Sequence, residues 1–264
     1  MYSINLEVFG HTITLSYNDI ELLRKFAPLQ MGEHNFYKIL NHDEFLNKLR
    51  ILLQYNFRRT AQFIGWNHSV QKVIDVGSGI SSFDLILYKL VTANSNKTQP
   101  MFYLVDKSER SGGHSMPYVD NAADHGCYNS WNCVEDCISA SNISRENFCF
   151  LDPEQPWPDH VDLVVSQYSW LWHYPSQVYL ERAFNSLRPG GKLIVDLLYL
   201  KNKDQVKEIS DIFGTLPVDS IELPPDGSSA NYTSGVHPFF KKPMTELYHN
   251  INGKIGKTCC WIKP

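Results

Sequence analysis

The sequence predicts an α/β protein, a mostly parallel sheet with helices on both faces, preceded by a mostly helical N-terminal segment. Three observations carry this. Between residues 71 and 216, short apolar runs suited to buried strands alternate with stretches of helical period. The first of those runs, "KVIDV", passes straight into Gly77-Ser78-Gly79, the kind of turn that joins a parallel strand to its helix. Residues 1–66 follow another pattern, in which apolar residues recur mainly at three- and four-residue steps.

Taken in order, "YSINLEVFGHTITLSY" (2–17) alternates around Gly10-His11 and predicts a hairpin. Asn18-Asp19 offers a cap to a helix over "IELLRKFAPL", and "DEFLNKLRILLQYNFRRTAQFI" (43–64) predicts a second helix ending near Gly65. Strands are expected at 71–76, 101–106, 148–152, 161–166 and 191–199, with helices at 83–91, 129–142, 176–187 and 202–216. "VDSIEL" (218–223) and "KTCCWI" (257–262) predict two further strands, separated by a Gly/Pro/Ser-rich insertion around 224–256. The expected division is an N-terminal helical cap with a hairpin at 1–66 and a main domain at 67–264.

A strand that ends in Asp75-Val76-Gly77-Ser78-Gly79 builds a crevice where a ligand can approach the backbone. Three chemistries use such a turn. A phosphate-cradling loop needs GxxxxGK[ST], which is absent. A dinucleotide fingerprint needs a third glycine, and Ser82 stands in its place. A nucleophile elbow needs GxSxG, which this turn does not supply.

The remaining pattern resembles the class I S-adenosylmethionine-dependent methyltransferases. Asp75-Val76-Gly77-Ser78-Gly79-Ile80-Ser81 matches their first motif, with Ser81 replacing a glycine. "MFYLVD" ends in Asp106, "DPEQPWPDHVDLVVS" (152–166) matches the acid, Pro-aromatic and Asp-Leu-Val run, and "LRPGGKLIVD" (187–196) matches the Pro-Gly-Gly turn before the fifth strand. The resemblance covers about 70–200. It implies a Rossmann-like, seven-stranded, mostly parallel sheet and S-adenosylmethionine as cofactor. It places Asp75, Gly77, Ser78 and Gly79 at the cofactor loop and Asp106 with Lys107 at the ribose hydroxyls. Asp152 with Pro153 falls at the adenine amino group, and the backbone of Ser166 and Gln167 beside the methionine end.

"SQYSWLWHYP" (166–175) follows the fourth strand of the motif region, where the resemblance implies the acceptor pocket. If extended, it puts Tyr168, Trp170, Trp172 and Tyr174 on one side, available to line that pocket or to be plain core. His173 is the candidate general base, because an imidazole titrates near neutrality. His114 and His237 are candidates for contact with substrate. No metal is expected. Asp162 reads as a structural strand-entry acid.

The expected function is in-line methyl transfer to a small-molecule acceptor, with a sugar or natural-product hydroxyl favoured. A methyltransferase acting on RNA or protein is the alternative, beside an NAD(P) oxidoreductase and a non-catalytic cofactor-binding scaffold. A net charge of −4 argues against a duplex nucleic-acid partner, which calls for a basic face. The six cysteines include no CxxC pair and are expected to be reduced thiols. Charges break up the first thirty residues and no apolar run reaches eighteen, so neither membrane partner nor signal segment is expected and the expected location is cytoplasmic. Whether residues 1–66 mediate a homodimer is left open.

Overall fold

The computed structural model describes residues 1–30, 40–64, 70–94, 99–107, 129–198, 202–223 and 256–264. The hairpin forms as the alternation predicts, from β1 (Tyr2–Val8) and β2 (His11–Tyr17), paired antiparallel throughout. Its two-residue turn, Phe9-Gly10, has positive φ at both positions (50° and 81°), which matches the twist of the flanking strands. Helix α1 spans Ile20–Gln30 and α2 spans His42–Ala61. Asn41 and Glu44 close a reciprocal capping box at the start of α2, satisfying two N–H groups that would otherwise lack partners.

The remaining elements are β3 (Lys72–Val76), α3 (Ser82–Asn94), β4 (Met101–Val105), α4 (Trp131–Ala140), β5 (Phe148–Leu151), β6 (Val161–Ser166), α5 (Trp170–His173), α6 (Leu180–Ser186), β7 (Leu187–Leu198), α7 (Asn202–Phe213), β8 (Asp219–Leu223) and β9 (Gly256–Ile262). Seven strands form one sheet in the order β5-β4-β3-β6-β7-β9-β8. All pairs are parallel except those of β9, which runs antiparallel to both β7 and β8. The chain runs outward from β3 through β4 to β5, then returns to place β6 on the other side of β3. The carboxyl ends of β3 and β6 therefore flank the point where strand order reverses, the usual crevice of such sheets.

Alternate residues of each strand enter opposite cores. Val73, Phe102, Leu104, Leu163, Val165 and Ile194 pack toward α3 and α4. Ile74, Val105, Val164, Leu193, Val195 and Trp261 pack toward α5, α6 and α7. The N-terminal segment has no separate core. Ile4, Leu6, Phe45, Leu49 and Phe57 are continuous with Phe83, Leu87 and Val134. The hairpin and α2 thus close the outside of one helical layer.

Asp162 is the brace its position predicts. Its Oδ2 accepts the backbone N–H groups of Gln71 and Lys72 (2.7 and 2.8 Å), and its Oδ1 accepts from Arg188 Nε (2.6 Å). Three local expectations are corrected. Residues 170–173 form a helical turn, because Ser166 Oγ accepts the Trp170 N–H and Trp170 O accepts the Tyr174 N–H. The helix expected at 176–187 is divided into a tight turn at 176–178 and α6. The Pro189-Gly190-Gly191 turn lies inside β7 as a register shift opposite Val161 and Leu163. Among the described residues, no helix is long and apolar enough to cross a membrane, and none of the five cysteines described forms a disulfide.

Candidate functional site

The turn after β3 is held on both sides. The Gly77 N–H donates to Val105 O (2.7 Å) and the Ser81 N–H to Ser78 O (2.8 Å). Gly77, Gly79 and Ser81 all have positive φ, at 74°, 57° and 53°. Glycine adopts that region freely, whereas a side chain costs about 1–2 kcal/mol there. Ser81 is fully buried, and its hydroxyl has no hydrogen-bond partner. Ser81→Gly is therefore expected to raise folding stability by about 1 kcal/mol, read as a higher midpoint in denaturant. An unchanged or lower midpoint would count against strain at this position.

Gly77 is required by a second, steric condition. A Cβ there would lie 1.7 Å from Ser169 Oγ and 2.3 Å from Ser169 Cβ. The turn after β3 and the turn after β6 thus touch directly, and the missing side chain of Gly77 is what lets them.

Around this turn the carboxyls gather. Asp106 Oδ2 accepts the Gly79 N–H and its Oδ1 the Lys107 N–H, both at 2.8 Å. Burial nevertheless pushes its pKa up to about 7, against the opposing pull of those two donors. Asp75, at the end of β3, is 4% exposed, and Asp84, in the first turn of α3, is fully buried. Burial raises both carboxyls, and the Asp75 charge raises Asp84 further. Asp75 and Asp84 face each other closely enough to share a proton, Asp84 keeping it, whereas the hydroxyls of Ser78 and Ser81 have no hydrogen-bond partner. Among the described residues, no lysine or arginine contributes to the electrostatics of the three acids. Among the described residues, no three His, Cys, Asp or Glu side chains are placed to hold a metal ion. The turn thus carries an acidic cluster, whose chemistry suits cations and N–H or O–H donors.

The remaining candidates divide. Asp152 and Gln155 sit on an open groove of about 700 Å³ beside β5, with Tyr103, Trp131, Arg145 and Phe150; Gly77, Gly79 and Asp106 are not on its wall. Pro153 O accepts from Arg182, whose guanidinium also lies 4.6 Å over the Trp157 ring. Lys107 Nζ stands 3.5 Å from Glu154 Oε1. Ser166 Oγ donates to Val76 O (2.7 Å), tying β6 to the end of β3. The Gln167 amide donates to Asn56 O and to Thr60 Oγ1 on α2.

The condition for an aromatic wall at 168–174, an extended chain, is not met, and of the two readings plain core holds for Trp170. Trp170 is 0% exposed in the core between sheet and helices, and its ring N–H donates to Pro175 O, so it is packing rather than pocket lining. The Tyr168 hydroxyl is held by Arg59. The backbone of Trp172 and His173 lies in α5, whereas their side chains, like all of His114 and His237, fall outside the described residues.

Sequence reasoning missed Asp84, Ser169, Arg59 and Asp196. Asp84 had a signal, since it is an acid in the first turn after the glycines. Arg59 had one too: Phe45, Leu52 and Arg59 are spaced by sevens along α2, which puts a cation on the apolar stripe. Ser169 had none, because its role exists only against Gly77.

No protein-family model and no curated protein matches the sequence. Solved structures do match by shape. The region of StiE titled O-MT (residues 961–1257) aligns with 94% of this chain and 83% of its own at 14% identity, with a TM-score of 0.55. Geranyl diphosphate C-methyltransferase from Streptomyces coelicolor A3(2) aligns with 89% of this chain and 87% of its own at 10% identity, also at 0.55. The [4+2]-cyclase SpnF aligns with 92% of this chain and 94% of its own at 12% identity, at 0.50. At these identities the likeness is one of fold. The chain has the fold of the class I S-adenosylmethionine-dependent methyltransferases, with the seven-stranded order and antiparallel β9 described above.

Proposed function

We propose that the protein is an S-adenosylmethionine-dependent methyltransferase whose cofactor lies across the Gly77–Gly79 turn at the carboxyl ends of β3, β4 and β6. The observation that carries this is the set of three carboxyls at the glycine turn, Asp75 and Asp84 buried and Asp106 half-buried, with no lysine or arginine of the described residues among the groups that shift them. A pyrophosphate would meet repulsion there. A sulfonium nucleoside with an ammonium group and a ribose diol would meet acceptors. That cofactor supplies a methyl group on an excellent leaving group. The protein's part is to hold an acceptor in line with it, a contribution worth roughly 7–11 kcal/mol.

In this reading Asp106 accepts the ribose hydroxyls, Asp75 faces the methionine end, and Asp152 marks the adenine end beside the groove it lines. His173 takes the acceptor's proton where the acceptor enters protonated. A small organic hydroxyl is the favoured acceptor, supported by the net charge of −4.

Thermal denaturation with S-adenosylhomocysteine tests the site. At 100 times Kd the ligand is expected to stabilise the wild type by about 2.7 kcal/mol. Asp106→Ala is expected to weaken binding about 100-fold, since it removes a charged acceptor of two hydrogen bonds. Equal shifts in wild type and variant would remove Asp106 from the site. Because SpnF, of similar fold, is a [4+2]-cyclase, binding alone does not establish transfer. Release of S-adenosylhomocysteine from S-adenosylmethionine with small-molecule, RNA and protein acceptors does.

A further inference from the structure

Arg59 and Asp196 form an ion pair at 2.7 Å whose side chains are 2% and 0% exposed. Arg59 stands on α2 in the N-terminal segment, and Asp196 near the carboxyl end of β7, beside β6. Such a pair adds little net stability, because desolvating two charges offsets their attraction and an apolar pair of similar size often does as well. What it fixes is geometry.

Arg59 Nη1 donates to the Tyr168 hydroxyl while Nη2 holds Asp196 Oδ2. The same carboxylate oxygen accepts the Tyr168 backbone N–H (3.2 Å), and its second oxygen accepts from Thr258. The guanidinium lies 4.7 Å over the Tyr168 ring. Tyr168 is therefore gripped at ring, hydroxyl and backbone, in a left-handed conformation (φ 49°) that tyrosine avoids when free. Gln167 is tied to α2 beside it, by Asn56 O and Thr60 Oγ1. The next residue, Ser169, fills the space over Gly77. A continuous set of contacts thus runs from the N-terminal segment to the glycine turn.

We propose that Arg59 is a positioning residue for the crevice: its planar fork, anchored on Asp196, holds Tyr168 in the left-handed conformation that seats Ser169 against Gly77. The N-terminal segment then does more than cover a helical layer, because it sets the shape of the turn that receives the ligand. A lysine carries the charge but not the two-directional fork, so it cannot hold Asp196 and the tyrosine hydroxyl together. The consequence for ligand affinity, though not the contact pathway, rests on the cofactor reading above.

Hydrogen–deuterium exchange on the full chain tests this, with wild type, Arg59→Lys and the double variant Arg59→Met/Asp196→Asn. The double variant removes both charges, so no lone charge is buried and the fold has no unpaired ion to expel. Both variants are expected to exchange more than tenfold faster than wild type at 166–170 and 77–81, while the β1–β2 hairpin and β4–β5 keep wild-type rates. The double variant is expected to keep its melting temperature within a few degrees, which separates positioning from plain stability. S-adenosylhomocysteine is expected to bind both variants at least tenfold more weakly. Wild-type exchange at 77–81 in the variants, or acceleration spread evenly over the chain, overturns the proposal. A wild type that binds no S-adenosylhomocysteine removes the cofactor reading, while the exchange rates still decide the role of Arg59.

Discussion

Gly77→Ala is expected to cost about 2–5 kcal/mol of folding stability, the sum of a left-handed alanine and an overpacked contact. Position 77 has φ 74°, and the new methyl carbon would stand 1.7 Å from Ser169 Oγ. No rotation of the Ser169 side chain is enough, since its Cβ is also only 2.3 Å away. One of the two turns must move, and ligand binding is expected to fall with it. The two parts of the cost can be separated. Gly77→Ala with Ser169→Gly removes the collision and leaves the backbone strain, so the double variant is expected to regain about 1–3 kcal/mol over the single one. Denaturant midpoints of the four proteins in this cycle measure the coupling. Additive effects would mean that the turns do not meet as described.

The second large effect is on pH. Asp106 is raised from 3.8 to about 7, and Asp75 and Asp84 are raised with it. For a carboxyl raised on folding, the unfolded chain releases its proton first as pH increases. Stability is therefore fully present below about pH 4, where both states are protonated, and is lost progressively as pH rises toward the folded pKa near 7. Through Asp106 alone the ligand-free protein is expected to lose about 1.4 kcal/mol per pH unit between about pH 4 and 7, and this contribution levels off above. A cationic ligand reverses the slope for binding, because it favours the ionised carboxyls and expels their proton. Affinity for S-adenosylmethionine is expected to rise severalfold per unit from pH 5 to 7 and then flatten. Calorimetry in buffers of different ionisation heat counts the released protons. Affinity independent of pH across that range would show that these acids are not where the cation lies.

Much of the fold was legible because its signals are local. Period-two alternation marked the hairpin, and short apolar runs marked β3, β4, β5 and β6 within a residue or two. A seven-stranded, mostly parallel sheet followed from the resemblance of the glycine turn, the two downstream acids and the Pro-Gly-Gly run, whereas the order of its strands is read only from the structure. Of the two readings open for the aromatic stretch after β6, the extended one does not hold, for a physical reason. Alternating aromatics suit a strand face, but the Ser166 hydroxyl caps a helical turn and buries Trp170 instead. No single-residue preference reveals that competition.

The site was legible as a list of acids and glycines, and less so as a set of interactions. Asp106 was expected to wait for a ribose, and in the structure it also holds the Gly79 N–H. Asp196 sat in plain view in "LIVDLL", an acid inside a strand otherwise apolar, and its partner lay 137 positions away on α2.

By itself, the sequence determined the class of fold, the place of the glycine turn and the carboxyls at the ends of β3 and β4, because backbone conformation and hydrophobic period depend on neighbours along the chain. Only the tertiary structure decided that Gly77 makes room for Ser169, that Asp84 joins Asp75, and that Arg59 reaches Asp196 from the N-terminal segment. Those pairings come from distant parts of the chain, and burial sets both their energies and their protons.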